Sequence, residues 1–305
     1  MSNAEDRRGS HRAAHPIKTF FLRCMTVTIL SLWSLFCFFP IYWLAVTSIK
    51  GESDVDRANT FLPFVNFQPD LSAWRFILAD ASENLVSRLA NSLIIGTAST
   101  LLTICAACLT IYAVTRLPRR NRHLNQNFVL WFVLSTRLLP PAVLVVPLYV
   151  VATSTGLYDT KAGLILVYAA VNLPVAVWLL LPTFGNRPTE MEEAAQLDGA
   201  THLSILFTIF LPTIWVSILA SWMFVFLLCW NEYLYAVNLT SDHALTLPPW
   251  MVGQLSMKEA QTGGGPEEVA HLSAAVTLML APVLFFAIFV MREIGKAGNA
   301  DSYKA

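Results

Sequence analysis

Long apolar runs alternate with short polar segments along most of the chain. A helix needs about 20 consecutive apolar residues to cross the hydrocarbon core of a bilayer. Six stretches reach that length, and we expect each to form a membrane-spanning helix. They cover roughly residues 24–48, 89–115, 128–152, 162–184, 210–236 and 270–291.

The lengths of these runs favour helices over the strands of a barrel, which need only about ten residues each. The sequence therefore predicts an all-α membrane protein with one transmembrane unit over residues 24–291. A basic tail over 1–23 precedes it and a short tail over 292–305 follows it. A polar loop at 185–209 separates the fourth and fifth spans.

Lysine and arginine are distributed unequally between the two sets of loops. Thirteen of them fall on the side of the N-terminus and six on the other side, while Arg137 lies inside a span. Because cytoplasmic loops carry the excess of basic residues, we expect both termini and the 185–209 loop to be cytoplasmic.

The composition supports the membrane class: 55% of the residues are hydrophobic and 13% are charged. A soluble domain carries about a quarter charged residues. The formal net charge is zero, which argues against binding to nucleic acid. The six histidines show no metal-ligand spacing, so we expect no metal site.

The 185–209 loop contains the acidic stretch EEAAQLDGA, which starts at Glu192. The preceding residues match a capping box with Thr189 as the N-cap, so a short helix is predicted to run to about Asp198 and to end at Gly199. At 100° per residue, alanines fall on one face and most of the acidic residues on the other. A solvated connecting helix and a docking element both fit these features.

The residues around this helix resemble the cytoplasmic motif of ABC-importer permeases. The motif is Glu-Ala-Ala, three residues, Gly, nine residues and Ile-x-Leu-Pro. Here it is met by Glu193-Ala194-Ala195, Gly199 and Ile209-Phe210-Leu211-Pro212. Further stretches are similar to the carbohydrate branch of these permeases, which contains the maltose-importer subunits; they are PPAVLVVPLY from Pro140, GLYDT from Gly156, Asn172-Leu173-Pro174 and Trp230-Asn231-Glu232-Tyr233.

The resemblance implies a type I ABC-importer permease in a bacterial inner membrane, and not an enzyme. The short helix would be a coupling helix that contacts a dimer of cytoplasmic ATPase subunits; its expected contact residues are Glu192, Glu193, Ala194, Ala195, Asp198 and Gly199. ATP and Mg²⁺ would be bound by that ATPase, and this chain would hold no cofactor. A second homologous permease and a periplasmic solute-binding protein would complete the assembly. In agreement, the sequence lacks a Gly-x-x-x-x-Gly-Lys-[Ser/Thr] loop.

Polar residues inside the predicted spans are candidates for the translocation path, because buried charges in a bilayer face a cavity or a partner. Arg137 fits a gate or a structural ion pair equally well. Asn172 lies beside Pro174 in the middle of the fourth span, where discontinuous helices commonly form transport sites. Asn231 and Glu232 fit either the path or the membrane interface.

The glycine run Gly263-Gly264-Gly265 lies where maltose-type permeases carry a loop that probes the binding protein, and a flexible linker explains it as well. The resemblance makes a sugar the expected solute. An ion-coupled secondary transporter is the alternative function, although Glu232 is the one acidic residue well inside a span. A membrane enzyme is a third, but no catalytic dyad is apparent.

Overall fold

A computed structural model describes residues 16–57, 60–80, 82–116, 126–185, 190–253 and 265–302. Four of its helices are each long and apolar enough to cross a membrane. Two further pairs of helices, each bent at a short break, are long and apolar enough when the two helices of the pair are taken together. A helical segment therefore occupies each of the six predicted spans. The all-α membrane architecture predicted from the apolar runs is confirmed for these residues.

The four single helices are longer than the apolar runs that predict them. They are α1 (Pro16–Thr47), α4 (Ser82–Arg116), α7 (Lys161–Gly185) and α14 (Pro266–Ser302). Parts of the expected tails are helical, since residues 16–23 belong to α1 and residues 292–302 belong to α14. Two short helices, α2 (Glu52–Val55) and α3 (Ser72–Arg75), lie between α1 and α4, and a π-helical turn (Phe76–Asp80) follows α3.

The span expected over 128–152 is a bent pair rather than one helix. Helix α5 (Gln126–Ser135) continues into a 3₁₀ turn (Thr136–Leu138), and α6 (Pro141–Ser154) leaves at 94° to it. Pro140 and Pro141 lie at the bend, where the missing N–H groups and the fixed φ of proline interrupt a helix. Pro141 then occupies the first turn of α6, a position that proline tolerates well.

The span expected over 210–236 is also bent, by 83°. The short helix α9 (His202–Ser204), a π-helical turn (Ile205–Phe210) and α10 (Leu211–Thr213) form its first part. Helix α11 (Trp215–Trp230) forms the second, and α12 (Leu234–Leu239) follows after three residues. Residues 247–253 are helical as well and are labelled α13.

The core of the bundle is formed by α4, α7 and α11. Its buried side chains include Ile95, Ile111, Leu180 and Val225, which are fully enclosed. A second cluster joins α13 and α14 to α11 through Phe226, Trp230 and Trp250. Helix α1 lies outside this core. Only 6% of its apolar membrane-spanning stretch is buried in the protein, against 50% of the corresponding stretch of α4 and 44% of that of α7.

Candidate functional site

The predicted coupling helix is α8 (Glu190–Leu197), a short helix after the end of α7. Its C-terminus has the hydrogen bonds of a Schellman motif, in which Ala200 N donates to Ala195 O at 2.9 Å. Gly199 supplies the left-handed residue with φ of 87°. The prediction that the helix ends at Gly199 is confirmed. The expected cap residue Thr189 lies outside the described residues.

Glu192 points into the protein rather than outward with the other acidic residues. Its side chain is 6% exposed and forms an ion pair with Arg116 at the end of α4, with 3.2 Å between Oε1 and Nε. Arg116 also donates a hydrogen bond to the carbonyl of Phe184 near the end of α7. Glu192, which was predicted to contact an ATPase, therefore fixes α8 to the end of α4 in this structure, and Arg116 extends the contact to the end of α7.

The environment of this ion pair affects the protonation of Glu192. Burial raises the pKa of the Glu192 carboxyl above its usual range, and the neighbouring Arg116 guanidinium partly offsets this increase. An ion pair with so little solvent contact depends on both partners, because either charge alone would be poorly solvated there.

The other predicted contact residues of α8 are accessible: Glu193, Ala194, Asp198 and Gly199 are exposed and Ala195 is partly exposed. Two apolar side chains that sequence reasoning did not assign to contact, Met191 and Leu197, are also exposed, Leu197 to 90%. A large apolar residue beside the helix-ending glycine of an acidic helix is the signal that could have identified Leu197.

The four candidate path residues have different surroundings in the structure. Arg137 occupies the 3₁₀ turn after α5, is exposed in this chain, and donates a hydrogen bond to Val171 O at 3.3 Å. Asn172 is buried, and its amide donates to Tyr168 O and to Cys229 Sγ. The Asn172 side chain is thus satisfied inside the core and does not face an open path in this conformation.

Asn231 and Glu232 lie in the break between α11 and α12 and not inside a continuous helix. The Glu232 carboxylate accepts hydrogen bonds from the backbone N–H groups of Tyr235 and Ala236, at 2.9 and 3.1 Å. It therefore caps the start of α12, which accounts for a partly buried acid at this position. Asn231 is exposed, and its amide donates to Leu227 O.

Asp159 holds two segments together at the end of α7 opposite to α8. Its carboxylate accepts hydrogen bonds from the backbone N–H groups of four consecutive residues, Ser241 to Ala244, and from the Ser241 hydroxyl. Partial burial acts to raise the pKa of Asp159, but these donors outweigh it and lower the pKa to about 2. We call this arrangement the Asp159 clamp.

Helix α4 ties the same segment from another side. Arg88 donates hydrogen bonds to both the carbonyl and the carboxylate of Asp242. The Asn91 amide donates to the carbonyls of His243 and Leu245. Asp159 lies within the GLYDT stretch, and sequence spacing alone assigns it no role because its partners lie about 80 positions further along the chain.

Comparison with known proteins agrees with these features. A family model described as the binding-protein-dependent transport system inner membrane component matches residues 109–296. The chain belongs to this family. The permease is 29% identical over 256 residues to the trehalose/maltose transport system permease protein of Thermococcus litoralis, covering 83% of this chain and 88% of that protein.

Two further similarities extend the comparison. An inner membrane ABC transporter permease protein of Escherichia coli is 32% identical over 222 residues, or 72% of the permease and 76% of that protein. A crystal structure of a bacterial ABC transporter involved in the import of alginate has a chain that superposes with a TM-score of 0.70 at 18% identity. The match covers 92% of the permease and 98% of that chain. The structural match shows that the permease has the ABC-importer permease fold.

The permease has an apolar cavity of about 920 Å³ between α4, α11 and α14. Its lining includes Leu101, Cys105, Phe207, Trp215, Trp222 and Phe286. A sugar needs several polar partners for its hydroxyl groups. The lining of this cavity offers almost none, so its chemistry does not suit a sugar.

The remaining predictions are only partly within the described residues. Gly263 and Gly264 lie outside them, and Gly265 is exposed just before α14. Within the described residues, no three His, Cys, Asp or Glu side chains are grouped so that they could hold a metal ion.

Proposed function

We propose that this permease is the membrane subunit of an ATP-driven importer that receives its solute from a binding protein. The observation that carries the proposal is α8, a short helix with an exposed contact face, fixed to α4 and α7 by the Arg116–Glu192 ion pair. Its exposed side chains, including Leu197, suit a cleft on a cytoplasmic ATPase. That ATPase would bind ATP and Mg²⁺ and drive the transport cycle.

The proposed orientation places both termini and α8 in the cytoplasm of a bacterium, with the permease in the inner membrane. The excess of Lys and Arg on that side supports it. In this orientation the Asp159 clamp and the loop with Gly263, Gly264 and Gly265 face the periplasm, where a solute-binding protein would dock. The alginate importer has been crystallised in complex with its periplasmic protein, and its fold is similar.

A second homologous permease is the proposed partner within the membrane. The exposure of α1 supports this partner, since only 6% of the apolar membrane-spanning stretch of α1 is buried in this chain. Arg137, Asn231 and Glu232 would then contribute to a path shared by the two permeases. Asn172 would support the path indirectly, through its hydrogen bonds in the core.

The proposed solute is a sugar or a sugar derivative. Relatives named as permeases for trehalose/maltose, trehalose and diacetylchitobiose support this class. Ion-gradient coupling, the alternative considered from the sequence, receives no support from Glu232, because its carboxylate is engaged in capping α12.

The experiment compares two glycines that have the same backbone constraint. Gly199 and Gly156 have φ of +87° and +72°, and a Cβ atom added at either would meet no heavy atom within 4 Å. We expect Gly199→Trp, next to α8, to uncouple ATP hydrolysis from sugar uptake in the reconstituted transporter. Gly156→Trp bears a similar strain at the opposite end of α7 and should leave the coupling intact.

Co-purification provides the second readout. The tagged permease is expected to bring down an ATPase, and sugar uptake into vesicles is expected to require ATP inside them. Uptake that is unaffected by Gly199→Trp, with no associated ATPase, would contradict the proposal. Uptake that persists without ATP and collapses with a protonophore would favour ion coupling.

A further inference from the structure

The segment between α2 and α3 contains a loop with an apolar tip, residues 60–67, which we call the aromatic loop. No charged residue occurs between Arg57 and Asp70. Four apolar side chains at the tip are exposed: Phe61, Leu62, Phe64 and Val65, the last two to 76% each. Apolar side chains grouped at the tip of a loop in this way mark a contact with a partner or a membrane.

The aromatic loop has a defined conformation. Phe64 N donates to Phe67 O at 2.9 Å, Asn66 N donates to Leu62 O at 3.0 Å, and Leu62 N donates to the Asn66 side chain at 3.1 Å. Phe67 itself is buried and lies 5.8 Å from the Lys50 ammonium. The base of the loop is therefore fixed in the protein while the tip projects outward.

These internal hydrogen bonds meet a requirement of the bilayer. Backbone N–H and C=O groups at membrane depth need partners within the protein, because hydrocarbon offers none. Phe64 adopts φ of 66°, a conformation that is costly for a bulky residue. The backbone at Phe64 is therefore strained, and this strained conformation places the Phe64 ring at the exposed tip of the loop.

The position of the loop relative to α1 gives its depth. The Tyr42 hydroxyl donates to Phe61 O at 2.6 Å, and the Phe61 ring lies 5.5 Å from the Trp43 ring. Tyr42 is five residues before the end of α1 at Thr47, which corresponds to about 7.5 Å along the helix axis. Phe61 therefore lies at the level of the last turns of a membrane-spanning helix, where the headgroups meet the acyl chains.

The aromatic surface is continuous between helix and loop. Phe39 stacks on Trp43 with 6.2 Å between ring centroids, and Trp43 contacts Phe61. Tyrosine and tryptophan are the residues that concentrate at the boundary of a bilayer. The tip itself carries no charged side chain, and the exposed polar residues Asn66 and Gln68 lie beside it, where lipid headgroups would solvate them.

We propose that the aromatic loop is an interfacial anchor, which inserts Phe64 and Val65 into the lipid leaflet next to the end of α1. The occupant of its apolar tip is lipid. The anchor holds that end of α1 at a fixed depth. Its insertion requires only that α1 crosses the membrane; that the leaflet is the outer one follows from the proposed orientation.

The test measures depth by spin labelling in phosphatidylethanolamine and phosphatidylglycerol vesicles that contain the assembled transporter. The parent variant has alanine at the three exposed cysteines, Cys24, Cys37 and Cys105, and must take up no label. Phe64→Cys and Val65→Cys are then labelled one at a time. Collision with oxygen reports lipid, and collision with a water-soluble nickel chelate reports solvent.

Two control positions bracket the expected result. Leu35→Cys is an exposed position in the apolar part of α1, and Arg57→Cys is an exposed charged position shortly before the loop. We expect spin labels at 64 and 65 to collide more often with oxygen than with the nickel chelate, as at Leu35. At Arg57 we expect collisions with the nickel chelate to be the more frequent. A preference for nickel at 64 and 65 would overturn the proposal.

Exclusion of both reagents at 64 and 65 would also overturn it, because a protein surface would then cover the loop. None of these outcomes depends on ATP hydrolysis or on the identity of the solute. A failure of the anchor is therefore distinguishable from a failure of the proposed function.

Discussion

The ion pair between Arg116 and Glu192 links α8 to the end of α4, which lies far from it in sequence, and Arg116 also binds the end of α7. Their side chains are 14% and 6% exposed. Desolvation of two charges is costly, so a buried ion pair is often worth little compared with apolar residues of the same volume. Removal of one partner is a different matter, because it leaves the other charge buried alone.

A double-mutant cycle tests this interaction. We expect Glu192→Gln and Arg116→Met each to destabilise the permease by about 3 kcal/mol, and the double variant to lose less than the sum of the two. The measurement is thermal unfolding in detergent. Arg57→Met provides the control, because the Arg57–Asp54 pair is largely exposed on the arginine side and should be worth less than about 1 kcal/mol.

The same cycle has a pH signature. Burial already raises the pKa of Glu192, and loss of Arg116 removes the charge that lowers it. A raised folded-state pKa means that the folded protein binds the proton more tightly, so stability from this group increases as the pH falls through that pKa. The loss of stability caused by Arg116→Met should therefore become smaller on acidification, and the loss caused by Glu192→Gln should not. Additive losses without this pH dependence would contradict the interpretation.

At the scale of elements, the Asp159 clamp joins the start of α7 to the segment between α12 and α13. The segment is also bound to α4 through Arg88 and Asn91. At the other end of the molecule, the ends of α4 and α7 are bound to α8. The two helices are thus fixed at both ends, and displacement of α8 would act on a body that extends to the clamp.

Hydrogen exchange tests the clamp directly. We expect Asp159→Asn to speed amide exchange at Ser241 to Ala244 by about tenfold, because charge-assisted hydrogen bonds contribute about 1.5 kcal/mol each. Asp70→Asn is the control: the Asp70 carboxylate accepts from Ser72 N two residues on, and its loss should alter exchange only near residue 72. Unchanged exchange at 241–244 in Asp159→Asn would contradict this role.

The pKa of Asp159 predicts how the clamp responds to acid. Its pKa is lowered from 3.8 to about 2, so the stabilisation is complete above the ordinary value and is lost as the pH falls through about 2. Protection of residues 241–244, corrected for the intrinsic exchange rate, should therefore be the same at about pH 7 and about pH 4.5.

At the scale of the whole molecule, α1 packs against α14, but most of its apolar surface is exposed in this chain. Cys24 and Cys37 are both exposed on it. They are thirteen residues apart, which places them about 140° apart around a helix. A partner permease on one side of α1 would therefore cover one of these cysteines more than the other.

Alkylation by a lipid-soluble maleimide tests this prediction. In the isolated permease we expect both Cys24 and Cys37 to react, and in the assembled transporter one of them to be protected. Cys108 and Cys229 are buried in the chain and should stay unreactive in both samples. Equal reactivity of Cys24 and Cys37 before and after assembly would argue against a partner on α1.

The sequence alone was sufficient for features that depend on local composition and spacing. The apolar runs predicted the spanning helices because each needs a minimum length of uncharged chain. Gly199 predicted the end of α8 because a left-handed residue is best supplied by glycine. The motif from Glu193 to Pro212 indicated the family, since its spacing within the 185–209 loop is specific.

Only the tertiary structure decided features that join distant parts of the chain. Helical periodicity gave the angular order of side chains on α8, but which face is buried depends on α4, and so the burial of Glu192 was not predicted. Asp159 and its four donors, or Asn172 and Cys229, lie tens of residues apart. The bends after α5 and before α11 likewise follow from packing as well as from proline. Sequence spacing determines local conformation, whereas hydrogen bonds between distant segments are fixed only when the chain has folded.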